Sequence, residues 1–399
     1  MNGKNTVRGP LPIVYIGMFC SASSLFFGML IGMSALALNN GYDASLSVAS
    51  GVLFHPDLMI FGAVGGLLVT EKLELMEKFP LAKGLPISRP TVLFLFSGVF
   101  LASLGILVGS TLTRYAGLIL ILAGSLLFLF YMSSGRNPGD MWIKRVFAAA
   151  IASMSMAAIG NFNALIFNNV WITYLALLFP IIYVLAERME LGFVRGMKTS
   201  VMKAQAFIAW ITVLLAFAAA EIHMNPYSRD MMLASIMLLF TLTMVSVRFD
   251  PAFRRLRKQG RFQSFMRYGV LLSFFWLFLG FLLFALQVIA GQGFLDAATH
   301  SIALGFIGTF IVAHSPVIFP LTLKKRARQD NVTYLPLIIL TLSNVMRVFG
   351  DLVSHSNSAG FTASYLSGYI LIIAIVAFIY NLRKIIVSDP PVLKKGAAI

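Results

Sequence analysis

Long apolar stretches alternate with short polar turns along the whole chain, over 13–38, 48–70, 91–110, 115–133, 143–163, 165–186, 199–223, 230–248, 265–290, 297–323, 334–354 and 362–382. A helix that crosses a bilayer needs about 20 mostly apolar residues. The pattern therefore predicts an all-α, polytopic membrane bundle of twelve spans, numbered 1 to 12 in that order. The connecting turns are too short to fold separately. They predict a single membrane domain over 1–399 and no soluble domain.

The charges orient the bundle. All but three of the 31 Lys and Arg residues (Arg114, Arg229 and Arg347) fall in the terminal segments or the turns on one side. Basic turns stay cytoplasmic, which predicts a multi-pass protein of the plasma membrane with both termini inside. The net charge of +16 reads as this topology signal and not as a nucleic-acid surface. Run 13–38 is too long for the core of a cleavable signal peptide. The single cysteine, Cys20, excludes an intrachain disulfide and a Cys-rich metal site.

Two of the basic-side turns begin alike, Glu71-Lys72-Leu73-Glu74-Leu75 after span 2 and Glu187-Arg188-Met189-Glu190-Leu191 after span 6. Span 10 ends on the same side in Lys324-Lys325-Arg326. Spans 2, 6 and 10 are four apart, so the chain reads either as three four-helix units or as amphipathic turns recurring at helix ends. Pro180, Pro316 and Pro320 predict irregular backbone in spans 6 and 10. Residues 160–169, rich in uncharged Asn, read as a turn on the side away from the basic residues.

The candidate chemistry lies in the few polar residues of the spans. Of five histidines, His55, His223, His300 and His355 fall at the level opposite the basic side, and His314 lies deeper in span 10. Each of the four has a carboxylate nearby in sequence: Asp57, Glu221, Asp296 and Asp351 respectively. Asp296/His300 and Asp351/His355 are spaced i,i+4 and share a helix face. The i,i+2 pairs of His55 and His223 do not. An imidazole gives one nitrogen to a metal or haem iron, while the other donates to a carboxylate or carbonyl that fixes the ring. The same groups also serve as proton relays. Against both stands the tolerance of interfacial helix ends for His, Asp and Glu. In span 11, Arg347, Asp351 and His355 step by four, with Asn344 a turn before Arg347. That stripe reads as an internal Arg–Asp pair or as an arginine fork for an anion.

Two segments carry a family resemblance. His55-Pro56-Asp57-Leu58-Met59-Ile60-Phe61-Gly62 resembles the second-span signature of the NnrS family, matching at His55, Met59, Phe61 and Gly62 but with Asp57 in place of a second histidine and Leu58 in place of a glutamate. His300, Gly305, Gly308 and Thr309 resemble that family's tenth-span segment. The resemblance implies a haem- and copper-containing membrane protein of nitric oxide metabolism, distantly similar to the catalytic subunit of haem-copper oxidases and nitric oxide reductases. It implies His55 and His300 as haem ligands; the burial of His314 makes it a further haem-ligand or proton-site candidate, and the fork of Arg347 suits a haem propionate. His223 and His355 are left as candidates for copper. It also implies nitric oxide or another small gas and an electron-donor protein as partners beside membrane lipid. The paired histidines of an oxidase copper site are missing from spans 7 and 10.

Three functions compete. The first is a haem-binding, possible oxidoreductase of this type. The second is a proton-coupled secondary transporter that uses Arg347 and Asp351. The third is a membrane scaffold without a cofactor. No Walker loop, dinucleotide fingerprint or Ser-His-Asp arrangement is present, which argues against ATP-driven or hydrolytic chemistry. Whether substrate is turned over, and the oligomeric state, are open at this level.

Overall fold

The computed structural model describes residues 12–39, 55–77, 88–133, 141–167, 171–253, 260–323, 325–328, 331–354 and 358–387. The protein is an almost entirely α-helical, polytopic, lipid-embedded bundle. Among the described residues, eleven helices are long and apolar enough to cross a membrane. Span 2 supplies a further one from residue 55 onward, as a π-helix, Asp57–Gly65, continued by an α-helix, Gly66–Glu77. It overruns the expected end at residue 70, because Glu74, Leu73 and their neighbours are buried against other helices. Span 5 also runs on to Phe167. The turn expected at 160–169 is therefore helical up to that point, since uncharged Asn within an Ala- and Ile-rich run does not end a helix. Residues 168–170 lie outside the described residues.

Burial places the spans. Span 6, Trp171–Val194, has 89% of its apolar window covered by other helices, whereas span 12 has 17%. Span 6 is thus the centre and span 12 faces lipid. Spans 2, 6 and 10 meet pairwise around that centre. Tyr183 Oη donates to Leu68 O at 3.1 Å, and Lys72 pairs with Glu190 at 3.1 Å, so the two similar charged turns lie against each other. Without a hydrophobic force between helices in lipid, close packing of small residues holds them together. Gly117 of span 4 shows this: a Cβ there would run into the backbone of Ala102 on span 3.

Span 10 is a composite: α-helix Leu295–His300, π-helix Ser301–Gly308, then α-helix Thr309–Thr322, which continues through Pro316 and Pro320. π-helices are rare, mostly single-turn, and concentrate at functional sites. The two π segments among the described residues, eight and nine residues long, start within two residues of a histidine, His300 and His55. At the basic end, Arg326–Ala327 pairs antiparallel with Ile386–Val387, tying the exit of span 10 to that of span 12.

Candidate functional site

The polar cluster is assembled by spans 10 and 11, with span 2 beside them. Asp351 is buried, with 7% of its side chain exposed, and collects three donors. Arg347 Nε (3.1 Å) and His300 Nδ1 (3.2 Å) meet Oδ2, and Ser364 Oγ of span 12 meets Oδ1 at 2.8 Å. His300 Nδ1 also donates to the backbone carbonyl of Asp296 at 2.8 Å. Two acceptors thus require the proton on Nδ1, which leaves Nε2 as the lone-pair side of the ring. The 3.4 Å approach of Arg347 Nε to His300 Nδ1 joins two donors and is adjacency, not a hydrogen bond. Of the Arg347 donors, only Nε is engaged by a described residue.

One sequence-based assignment changes. The Asp296 group that holds His300 is its carbonyl and not its carboxylate. Asp351 reaches across to His300. His355 lies outside the described residues.

His55 comes to the same cluster. Its Nδ1 donates to Gly28 O of span 1 at 2.7 Å, and the ring is within electrostatic reach of both His300 and Arg347. A Cβ on Gly32 would lie 2.9 Å from the His55 ring, so glycine is what lets span 1 approach it. Asp57 does not serve His55. Its carboxylate is buried, and the nearby charge is Arg114 in the first turn of span 4. Asp57 Oδ2 and Arg114 Nε are both without a hydrogen-bond partner among the described residues.

The remaining candidates lie elsewhere. His223 sits in the turn after span 7, with Nδ1 3.2 Å from Ala220 O. Glu221 lies beside Gly160 of span 5. The hairpin of spans 7 and 8 packs on spans 5, 6 and 9. His314 belongs to a second buried group nearer the basic end. Nδ1 donates to Phe310 O at 2.9 Å, and Nε2 accepts from Arg188 Nη1 at 3.1 Å. The ring also stacks on Phe310, with centroids 3.9 Å apart. Both nitrogens are engaged, so His314 has no lone pair left for a haem iron.

Arg188 holds Asp250 with two donors, Nε to Oδ2 and Nη2 to Oδ1 at 2.6 Å. Asp250 also accepts from Ala252 N at 2.8 Å. The sequence offered Arg188 only as a topology charge. Its partner is 62 positions away, just past span 8, and no local spacing points to it.

The residues can be compared with the groups that the resemblance implies. For haem, His55 and His300 have suitable chemistry: a backbone carbonyl holds each ring at Nδ1, and Nε2 is the lone-pair side. For copper, His355, one of the two candidates, lies outside the described residues. Among the described residues, no three His, Cys, Asp or Glu side chains gather where they could hold a metal ion. Comparison with curated proteins gives no match. A family profile described as a domain of unknown function (DUF8744) matches residues 18–386, nearly the whole described bundle, and the chain belongs to that family.

Proposed function

We propose that the protein is a proton-coupled secondary transporter whose coupling site is His300, Asp351 and Arg347. One observation carries the reading: a single buried carboxylate oxygen, Asp351 Oδ2, is shared by an imidazole from span 10 and a guanidinium from span 11. Arg347 is charged at every working pH, so the neutral state of the cluster is Arg347⁺–Asp351⁻ with neutral His300. A proton on His300 adds a second cation competing for the same oxygen. It strengthens the bond between spans 10 and 11 and weakens the hold of Asp351 on Arg347. Arg347, whose terminal nitrogens no described residue engages, is then released toward a solute. Proton binding thereby biases the relative position of two helices, which coupling requires. The positive-inside bias puts the basic end in the cytoplasm and this site toward the outer surface.

The test is a pH gradient across liposomes bearing the purified protein, read by trapped pyranine against protein-free liposomes, with gluconate, nitrate, alanine, choline and glucose supplied in turn. The proposal expects at least one solute to speed the collapse of the gradient. Asp351→Asn should slow that collapse about tenfold or more, the worth of a charge-assisted hydrogen bond. Equal rates with and without Asp351→Asn would refute the assignment.

A second reading, a haem protein of the NnrS type acting on nitric oxide, keeps one supporting observation: the two imidazoles with carbonyl-anchored Nδ1 atoms at the heads of spans 2 and 10. A bound haem would supply the redox chemistry, with His55 and His300 holding its iron. Protein purified from haem-replete cells would then show a Soret band that His55→Ala and His300→Ala each bleach. Colourless, iron-free protein would exclude it.

A further inference from the structure

Below the charged cluster, the π-helical part of span 10 is lined by polar atoms with nothing to bond. Ser301 Oγ, Thr309 Oγ1, Trp276 Nε1 and both amide atoms of Asn344 are buried and have no hydrogen-bond partner among the described residues. None of these four side chains is more than 3% exposed. They come from three helices and converge. Ser301, Gly305 and Thr309 are four apart and share one face of span 10. A Cβ on Gly305, midway between the two hydroxyls, would meet the Trp276 ring of span 9 and lie 2.6 Å from Asn344 Nδ2 of span 11. Asn344 in turn lies one turn before Arg347. Ser301 to Thr309 covers on the order of 10 Å of depth.

A buried polar group without a partner is costly, and more so in a bilayer, where no solvent can complete it. Packing alone does not require five such atoms along this stretch of span 10, because neighbours such as Ile302 and Phe306 show that apolar residues are accommodated on the same segment. Buried water needs two to four polar partners, and these atoms supply them. Trp276 Nε1 can only donate, Asn344 offers both roles, and the two hydroxyls can donate and accept in either direction. Hydroxyls that switch roles are what a chain of water needs to pass a proton along.

We propose that Ser301, Trp276, Thr309 and Asn344 enclose a hydrated chamber that carries protons between the His300–Asp351 cluster and the middle of the membrane. The inference rests on the transport reading for its proton role, though not for its water. Gly305 itself is closely packed, with Trp276 and Asn344 directly against it, so the water lies to either side of it, beside Ser301 and Thr309. Arg347 and Asp351 cap the chamber on the far side, and its ligand is water with an excess proton.

The test separates water from protons. In a Cys20→Ala background, Thr309→Cys is exposed to methyl methanethiosulfonate, a small neutral reagent that crosses the bilayer and needs no aqueous entrance. Leu342→Cys, at a position 52% exposed on the outer face of span 11, is the lipid-facing control. Only a thiol in water ionises and reacts, so Thr309→Cys should be modified and Leu342→Cys should not. In the pyranine assay, Thr309→Val and Asn344→Leu should slow proton movement about tenfold or more. A Thr309→Cys thiol as inert as Leu342→Cys would overturn the chamber and leave the outer coupling site untouched. Modification with unchanged flux in both apolar variants would overturn its proton role. Modification in a protein that moves no protons at all would overturn the transport reading and the proton role together, while the water would stand.

Discussion

Removing Asp250 tests how the buried charge near the basic end is held. The Asp250 side chain is fully buried and that of Arg188 is 6% exposed. Asp250→Leu leaves the guanidinium with His314 Nε2 at 3.1 Å as its remaining acceptor and strips Ala252 N of its cap. Breaking a buried pair from one side costs about 3–5 kcal/mol, because the other charge stays behind. Since His314 still accepts, the lower end applies, about 3 kcal/mol. Replacing both residues by apolar ones, as in Arg188→Met with Asp250→Leu, removes the stranded charge. It should return stability to within about 1 kcal/mol of the starting protein, the unmet His314 nitrogen being the main residue of the loss. The assay is a double-mutant cycle on detergent-solubilised protein, unfolded with increasing denaturant and followed by circular dichroism. With each single variant losing about 3 kcal/mol or more and the double about 1, the coupling energy should be about 5 kcal/mol. A double variant that loses the sum of the single losses would refute the reasoning, as would a single variant that loses nothing.

Three further outcomes follow from the packing. Gly117→Val should lower the melting temperature in detergent, with a loss of at least about 1–3 kcal/mol, because the clash is with the Ala102 backbone and no side chain can swing aside. Lys72→Met should cost about 1 kcal/mol or more in the same melt, since the Lys72 side chain is only 11% exposed and its charge also offsets the buried Glu71 and Glu187. Arg114→Met should also destabilise, because it leaves the Asp57 carboxylate buried with its compensating charge removed. Pairing it with Asp57→Leu should recover most of that loss.

What could be read from the chain follows from how locally each feature is encoded. Hydropathy is a property of some twenty consecutive residues, so the spans were legible. Span 2 ran longer than its apolar stretch because Lys72 and Glu74 are covered by neighbouring helices, a tertiary fact. The π-helices were not legible: Ser301–Gly308 has the composition of any apolar helix, and its register is decided by what packs beside Gly305. His300 stood out as a polar residue at the head of a span. Its partner Asp351 lies 51 positions away, and the rule that relates near neighbours on one helix pointed to the Asp296 carboxylate instead. Arg188 and Asp250 were hidden for a related reason, since a cation near a helix end is expected to reach for water. The unpaired polar atoms of Asn344 and Trp276 cannot be seen in a sequence, because absence of a partner is a property of the assembled bundle.

The most direct measurement is proton movement into pyranine-loaded liposomes under an imposed pH gradient, comparing the unsubstituted protein with Asp351→Asn. The transport account predicts solute-dependent collapse of the gradient in the first and a rate lower by about tenfold or more in the second. Liposomes that stay proton-tight with every solute, bearing a protein whose Soret band disappears in His300→Ala, would contradict it.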